Sequence, residues 1–440
     1  MISYTRNINN IFYIFITAHL VSWTLVPAFT NYNLPLDTIE HLAWGSNLEW
    51  GYNKHPPMVA FVLEIFYQIF GSQDWSYYFL SQIFVIISFY YVFKLSNEIL
   101  NNNLLSLISV LLIESIYFYN FTTPEFNVNV CQLPFWSITV YYSWKIYSEK
   151  NIKFSDFFLV GLFAAFGFLS KYLFLYLLVS IDILFIYLIF IKKDIKFNFK
   201  YLITFEVFLI ILIPHLIWLY NNEFITITYG LARTGLEQSS IVDHIKFPII
   251  FFIKQIVILI PFLFLIWLLV KKIKLRFNLK DKKLLFLLAI NILPIFLIFL
   301  TSMLTGSKIR TMWMTPFYLF FGTLFLYMFQ SQINIKKLKL FICGFIFLFF
   351  LSPTLYIYVS ISNEDKRTDY PGKEIAIKTQ YAWDQKFNST INVVYGNEWN
   401  AGNLSYHLKT RPVWEGIVER KKLDKLKDYM CLDNVCVGHQ

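Results

Sequence analysis

Six short stretches of this chain put ionisable side chains where they could do chemistry. LPLDTIEHLAWG (34–45) sets Asp37, Glu40 and His41 within about one helical turn, and GYNKHPPM (51–58) places Lys54 and His55 directly before two prolines, with Tyr52 and Asn53 beside them. TTPEFNVN (122–129) offers Glu125, Asn127 and Asn129, while TGSKIRTMW (305–313) carries Lys308 and Arg310. FLSKYLF interrupts an apolar run with Lys171, and TYGLARTG adds Arg233. If 34–45 is helical, Asp37 and Glu40 share a face at i, i+3. Carboxylates can take a proton from an attacking group, and cations can hold a phosphate leaving group. The combination suits a transfer reaction on an anionic lipid.

Each stretch has a plainer reading. Asp37 could be a helix N-cap in a solvated loop. Lys54 could snorkel from an interface, although that does not account for Tyr52, Asn53 and His55 around it. Glu125 would complement a helix dipole, and Lys308 and Arg310 could anchor the chain at the membrane surface. Lys171 is the hardest to dismiss, because an intramembrane lysine is costly unless it meets a partner or a polar cavity. His215, in IPHLIW, reads as a hydrogen-bonded packing residue.

The composition decides what elements position these residues. Of 440 residues, 57% are hydrophobic, 20% aromatic and only 15% charged, and mean hydropathy is +0.52. That is more apolar surface than a soluble core can bury, so the chain is read as an all-α polytopic membrane protein. Apolar runs at 11–29, 75–93, 104–121, 130–147, 157–170, 172–191, 201–220, 247–270, 284–304, 312–329 and 340–360 predict about eleven transmembrane helices. The first run lacks a small-x-small cleavage site and is read as an uncleaved helix. The net charge of +10 sits in short blocks such as KKDIKFNFK (192–200) and KKIKLRFNLKDKK (271–283) between the runs, which fits cytoplasmic loops and excludes nucleic acid as the partner.

The segment MVAFVLEIFYQIF (58–70) rises only about 20 Å, against a hydrocarbon core of about 30 Å. If it does not cross, and the N-terminus is cytoplasmic, the basic loops at Lys94, Lys145 to Lys153, 192–200, 271–283 and 336–339 all fall inside; if it crosses, all fall outside. Parity therefore predicts a juxtamembrane or re-entrant helix there. The same parity puts every chemistry-bearing stretch on the outer face. Residues 1–360 form the membrane domain and 361–440 a small α/β domain outside, with short strand-like runs such as INVVYGN. An oxidising compartment would permit a local disulfide between Cys431 and Cys436.

The order of these motifs resembles a known family. D-x-x-E after the first helix, KHPP, P-E with asparagines, SK, PHLIWL and TGSK-x-R-x-MW together resemble the family-39-like glycosyltransferases of the C superfamily (GT-C). That group includes protein O-mannosyltransferases and bacterial aminoarabinose transferases acting on lipid A. The resemblance implies an inverting transfer from an undecaprenyl-phosphate-linked sugar, in the outer half of a bacterial inner membrane, to lipid A or another periplasmic acceptor. It implies Asp37 as the catalytic carboxylate, with Glu125 and Glu40 beside it. It also implies Lys54, His55, Lys308, Arg310 and Lys171 around the donor phosphate, and Tyr52, Asn127 and Arg233 as substrate contacts. Two departures stand out: the common D-E opening reads Asp37-Thr38, and His55 rather than a lysine directly precedes the prolines. No metal signature is secure, so no metal is assigned, with a divalent ion left open. The other readings are a protein O-mannosyltransferase and a lipid-linked sugar transporter; the latter calls for matched repeats in two halves, and none is visible.

Overall fold

The computed structural model describes residues 2–148, 152–236, 240–271, 274, 278–363, 365–432 and 434–440, so parts of the basic loops at 145–153 and 271–283 lie outside the described residues. The membrane domain is helical throughout: α1 (Ile2–Thr30), α2 (Leu36–Gly45), α3 (Met58–Phe70), α4 (Asp74–Leu100), α5 (Asn103–Glu114), α6 (Val128–Tyr147), α7 (Phe154–Ser170) and α8 (Leu175–Ile186), then α9 (Tyr201–Asn221), α10 (Ile225–Arg233), α11 (Asp243–Ile258), α12 (Ile260–Leu269), α13 (Lys282–Thr305), α14 (Phe321–Phe329) and α15 (Leu338–Ser362).

All eleven apolar runs are helical, but they do not all make full-length spans. Six described segments are long and apolar enough to cross a membrane: Asn7–Thr30, Asp74–Leu100, Tyr172–Ile191, Tyr201–Asn221, Lys282–Thr305 and Leu338–Ser362. Counting the bent pairs α11–α12 (49°) and Thr311–Tyr318 with Phe321–Gln332 (54°) as one span each gives eight. Pro261 opens α12 and Pro316 lies in the 3-10 turn before α14, where a missing N–H costs least or breaks the ladder. In α9 and in α15 the most apolar window is only 17% buried; greasy faces left uncovered by protein are lipid-facing faces. By contrast α6, packed between α4 and α7, is buried along nearly its whole length and forms the bundle's axis.

Segment 58–70 forms the short helix α3, which stops at Gly71 with φ +61°. Helix α7 stops at Ser170; Lys171 is extended and the chain resumes through a 3-10 turn at Tyr172–Phe174. Sequence alone marks this break by one lysine.

The C-terminal domain follows α15. Helices α16 (Gly372–Asp384) and α17 (Asn400–His407) flank a four-stranded sheet of β1 (Val393–Tyr395), β2 (Val413–Trp414), β3 (Asp428–Leu432) and β4 (Val435–His439), in the order β2-β1-β4-β3. Strands β1 and β2 are parallel, and β4 is antiparallel to both its neighbours. Trp383, Ile391, Val394, Ala401 and Leu404 form its core, and the Cys431–Cys436 disulfide closes the β3–β4 hairpin. The domain is docked on the membrane domain. Gly402 of α17 lies so close to α2 that a Cβ there would stand 3.1 Å from Ala43 and Ile39. Arg411 bonds Glu64 and the Leu42 carbonyl, each at 2.6 Å, and Tyr406 donates to Asp74 at 2.6 Å.

Candidate active site

Helix α2 carries the carboxylate side of the site. It begins after Pro35, with no side-chain cap, so Asp37 stands in its first turn rather than at the N-cap. The Asp37 backbone N–H donates to Glu125 Oε1 at 3.0 Å, and Asn127 Nδ2 lies 3.5 Å from both Asp37 Oδ2 and Glu125 Oε2. Asn127 also caps α6 through its Oδ1, at 2.9 Å from the Asn129 N–H, so the start of the axial helix fixes the pair. Burial pushes Glu125 up to about 8, with the neighbouring Asp37 charge adding to it and the bond from the Asp37 N–H opposing it. Two adjacent carboxylates are poorly ionised together.

One turn on, Glu40 is buried and bonded to the Lys54 ammonium. Burial raises Glu40 to about 7 against the opposing pull of Lys54. Lys54 is shared: its Nζ is also 3.2 Å from Glu398, in the C-terminal domain. The family resemblance implies Lys54 at the donor phosphate; the structure places it between two carboxylates, where the loop after α2 folds back over that helix.

That loop is tightly moored. The Tyr52 hydroxyl donates to the Trp44 carbonyl at 2.9 Å and accepts the Glu49 N–H at 3.2 Å, while its ring stacks on Trp44 at 5.1 Å. Tyr52, expected as a substrate contact, is thus committed to holding the loop. His215 reaches the Trp50 carbonyl at 2.6 Å and pairs with the Tyr172 hydroxyl at 2.8 Å, the packing role its sequence context suggested. Gly51 lies under Trp218, where a Cβ would sit 2.3 Å from the ring.

The cation side is built by the break after α7, the loop after α10 and the loop after α13. Lys171, buried, donates from Nζ to Asn129 Oδ1 at 2.5 Å, sits 5.4 Å over the Trp313 ring and interacts electrostatically with Asp37. The Lys308 N–H donates to the Thr234 carbonyl at 2.9 Å, tying the Arg233 loop to the Arg310 loop. Burial and the neighbouring Arg233 guanidinium hold Arg310 below the ordinary arginine range. His55 feels Lys171, Lys54 and Arg233, and burial, reinforced by those charges, holds it well below the usual histidine value. It joins the cations as a neutral hydrogen-bonding ring. Among the described residues Lys171, Arg233, Lys308 and Arg310 form no ion pair.

Sequence reasoning left three contributors without a role. His41 donates from Nδ1 to the Asp37 carbonyl at 2.5 Å and stacks 5.6 Å from His55, and its Nε2 is buried without a partner. Asn129 anchors Lys171. Glu398 lies in a distant part of the chain with no motif to flag it. A buried pair deeper in the bundle, His19 Nδ1 to Glu114 Oε1 at 3.0 Å, also escaped notice, although a glutamate inside LLIES was its signal. No group of three or more His, Cys, Asp or Glu among the described residues is placed to hold a metal ion. A cavity of about 370 Å³ lined by Asn278, Asp281, Tyr327 and Gln330 lies at the opposite end of α13 and includes none of these groups.

The fold is thus a helical membrane domain with its polar cluster at one end, where a small α/β domain is docked. The chain shares this fold with the crystal structure of ArnT from Cupriavidus metallidurans bound to undecaprenyl phosphate: TM-score 0.62 at 10% identity, over 93% of this chain and 86% of that one. The apo state of the same protein matches with TM-score 0.62 and 11% identity over the same shares. Residues 54–218 match the family described as dolichyl-phosphate-mannose-protein mannosyltransferase. That region takes in Lys54, His55, Glu125, Lys171 and His215 and leaves Asp37, Arg233 and Arg310 outside. No curated protein matches the sequence.

Proposed function

We propose that this chain is a polyprenyl-phosphate-sugar-dependent glycosyltransferase that moves a sugar, with inversion, from an undecaprenyl-phosphate donor to an acceptor on the outer face of the membrane, with lipid A as the leading acceptor. The observation that carries this reading is the division of the site: carboxylates of α2 and the α6 start lie beside Lys171, which feels the Asp37 charge, and beside Arg233, Lys308 and Arg310, and none of these cations forms an ion pair among the described residues. The acceptor oxygen attacks the anomeric carbon as the bond from that carbon to the donor phosphate oxygen breaks. Asp37 takes the acceptor proton; Glu125, protonated near neutral pH, and Asn127 hold Asp37 in place. Lys171, Arg233, Arg310 and neutral His55 bind the departing phosphate, with Lys308 at the rim.

The family match over 54–218 favours a second reading with the same chemistry and a protein hydroxyl as acceptor. Mass spectrometry of lipid A and of envelope glycoproteins, from cells with and without the gene, separates the two. Loss of a sugar from lipid A supports the first, loss from protein the second, and no change in either sinks both. The orientation proposed here has a cytoplasmic N-terminus, α3 not crossing and an external C-terminal domain. Reporter fusions to the C-terminus test it, and a cytoplasmic signal would overturn it.

A further inference from the structure

The C-terminal domain sends one charged side chain into the site. Glu398 lies in the turn between β1 and α17, where its carbonyl accepts the Gly402 N–H at 3.2 Å, the Asn397 side chain caps the Asn400 N–H at 2.7 Å, and Trp399 packs on Tyr370 at 5.3 Å. Gly402, one turn further, is the residue pressed onto α2. The carboxylate is therefore set by a close helix–helix contact rather than by a loose loop. Its partner Lys54 is also held, by the two prolines that follow it and by the loop bonds of Tyr52.

We propose that Glu398 is a positioning residue of the active site: by sharing the Lys54 ammonium with Glu40, it keeps that cation on the carboxylate side and sets the charge that Glu40 presents to the substrate. Four ionisable groups bear on Glu40, namely Lys54 and Asp37, the tail's Glu398, and Glu125 at the start of α6. Lys54 holds Glu40's ionised form, whereas Asp37 and Glu398 oppose it. With Glu398 neutral, Lys54 belongs wholly to Glu40 and one repulsion is gone, so Glu40 ionises at lower pH. The proposal rests on the glycosyltransferase reading only for what that charge is used for.

Binding of undecaprenyl phosphate to the purified full-length chain in nanodiscs, followed from about pH 5.5 to about pH 9, reads this ionisation. Affinity for the anionic lipid falls as the carboxylate side beside its cations gains the Glu40 charge. Glu398→Gln moves the midpoint of that fall about one pH unit lower, while Glu398→Asp keeps the wild-type midpoint. The lipid's own second ionisation is common to all variants. Arg411→Gln, which loosens the docking without touching Glu398, lowers the melting temperature and leaves the midpoint in place. An unmoved midpoint in Glu398→Gln, or an equal movement in Arg411→Gln, overturns the proposal. If the wild type does not bind undecaprenyl phosphate, the donor reading falls and the ligand-free protein decides the inference. Glu40 titrates at about 7 in the fold, above its value of about 4.3 in an unfolded chain. Its contribution to stability is therefore full at low pH and is lost as pH rises towards 7. Glu398→Gln completes that loss at lower pH, so the melting temperature falls less steeply between about pH 6 and about pH 7; an unchanged slope there also overturns the proposal.

Discussion

The two sides of the site hold their charges in different ways. On the carboxylate side each acidic group has a partner: Glu40 and Glu398 share Lys54, and Glu125 receives the Asp37 N–H and Asn127. On the cation side Lys171 bonds a neutral amide, lies over an aromatic face and feels the Asp37 charge without forming an ion pair, and Arg310 has a like-charged neighbour. A cluster whose carboxyl groups are hydrogen-bonded or ion-paired within the chain is finished when the chain folds. Cations gathered near a bilayer without anions are an arrangement that a bound phosphate completes. On the proposed reading the first side holds a geometry and the second receives a ligand.

The contrast is tested most severely at Asp37. Asp37→Asn keeps the shape and the N–H that Glu125 accepts, and removes the charge that accepts a proton. Transfer should fall by about 100- to 10,000-fold, with undecaprenyl phosphate binding kept. Normal turnover of Asp37→Asn at wild-type expression would move the base to Glu125. A smaller effect, with the opposite split, belongs to the other side. Arg310→Ala should weaken undecaprenyl phosphate binding and slow transfer by about 100-fold, because a leaving phosphate in a poorly solvated site has lost one of few compensating charges. Unchanged affinity would return Arg310 to interfacial anchoring.

The division between the two sides was only partly legible in the sequence. The cations of the second side stand out in the sequence, since basic residues away from the basic blocks or inside an apolar run are exceptions to the charge pattern of membrane proteins: Lys171, Lys308, Arg310 and Arg233 are each visible in this way. What residue type does not show is the charge of His55, which follows from burial among other cations. The carboxylate side was read as a set of acids without its partners. Nothing near KHPP announces that Lys54 turns back onto Glu40, and nothing in the tail marks Glu398, because both follow from a loop path and a domain docking set by long-range packing. The helices were legible for the reason the cations were: apolar runs of span length have one interpretation. What the runs could not show is where a helix bends or stops short, as at Leu259 and at Glu114.

The docking itself carries the third prediction. Arg411 and Glu64 are nearly buried, at 11% and 9% exposure, so Arg411→Gln leaves a carboxylate short of its partner in a poorly hydrated seam. The expected cost is about 3 kcal/mol, read as a lowered melting temperature. Transfer at permissive temperature should drop far less than in Asp37→Asn, since Asp37 and Glu125 are tied to α6 and not to the tail. A loss of activity as large as that of Asp37→Asn, with the fold intact, would mean that the C-terminal domain holds the substrate directly.

The smallest expected effect separates a holding residue from a binding one. Tyr52 lies in the same loop as Lys54 and has the polar tip expected of a sugar contact, yet its hydroxyl is already bonded to the Trp44 carbonyl and the Glu49 N–H. Tyr52→Phe removes those bonds and keeps the ring stacked on Trp44. The two backbone groups left behind differ in their remedies: the Trp44 carbonyl keeps its bond from Asn47 N–H at 3.1 Å, while the Glu49 N–H, in an exposed stretch, can turn to water. The net cost should therefore be about 1 kcal/mol of stability, with undecaprenyl phosphate affinity and transfer within about twofold of wild type. A tenfold loss of transfer in Tyr52→Phe, at unchanged melting temperature, would show that the hydroxyl leaves the loop to meet the sugar, and the carboxylate side would then be a site that rearranges on binding.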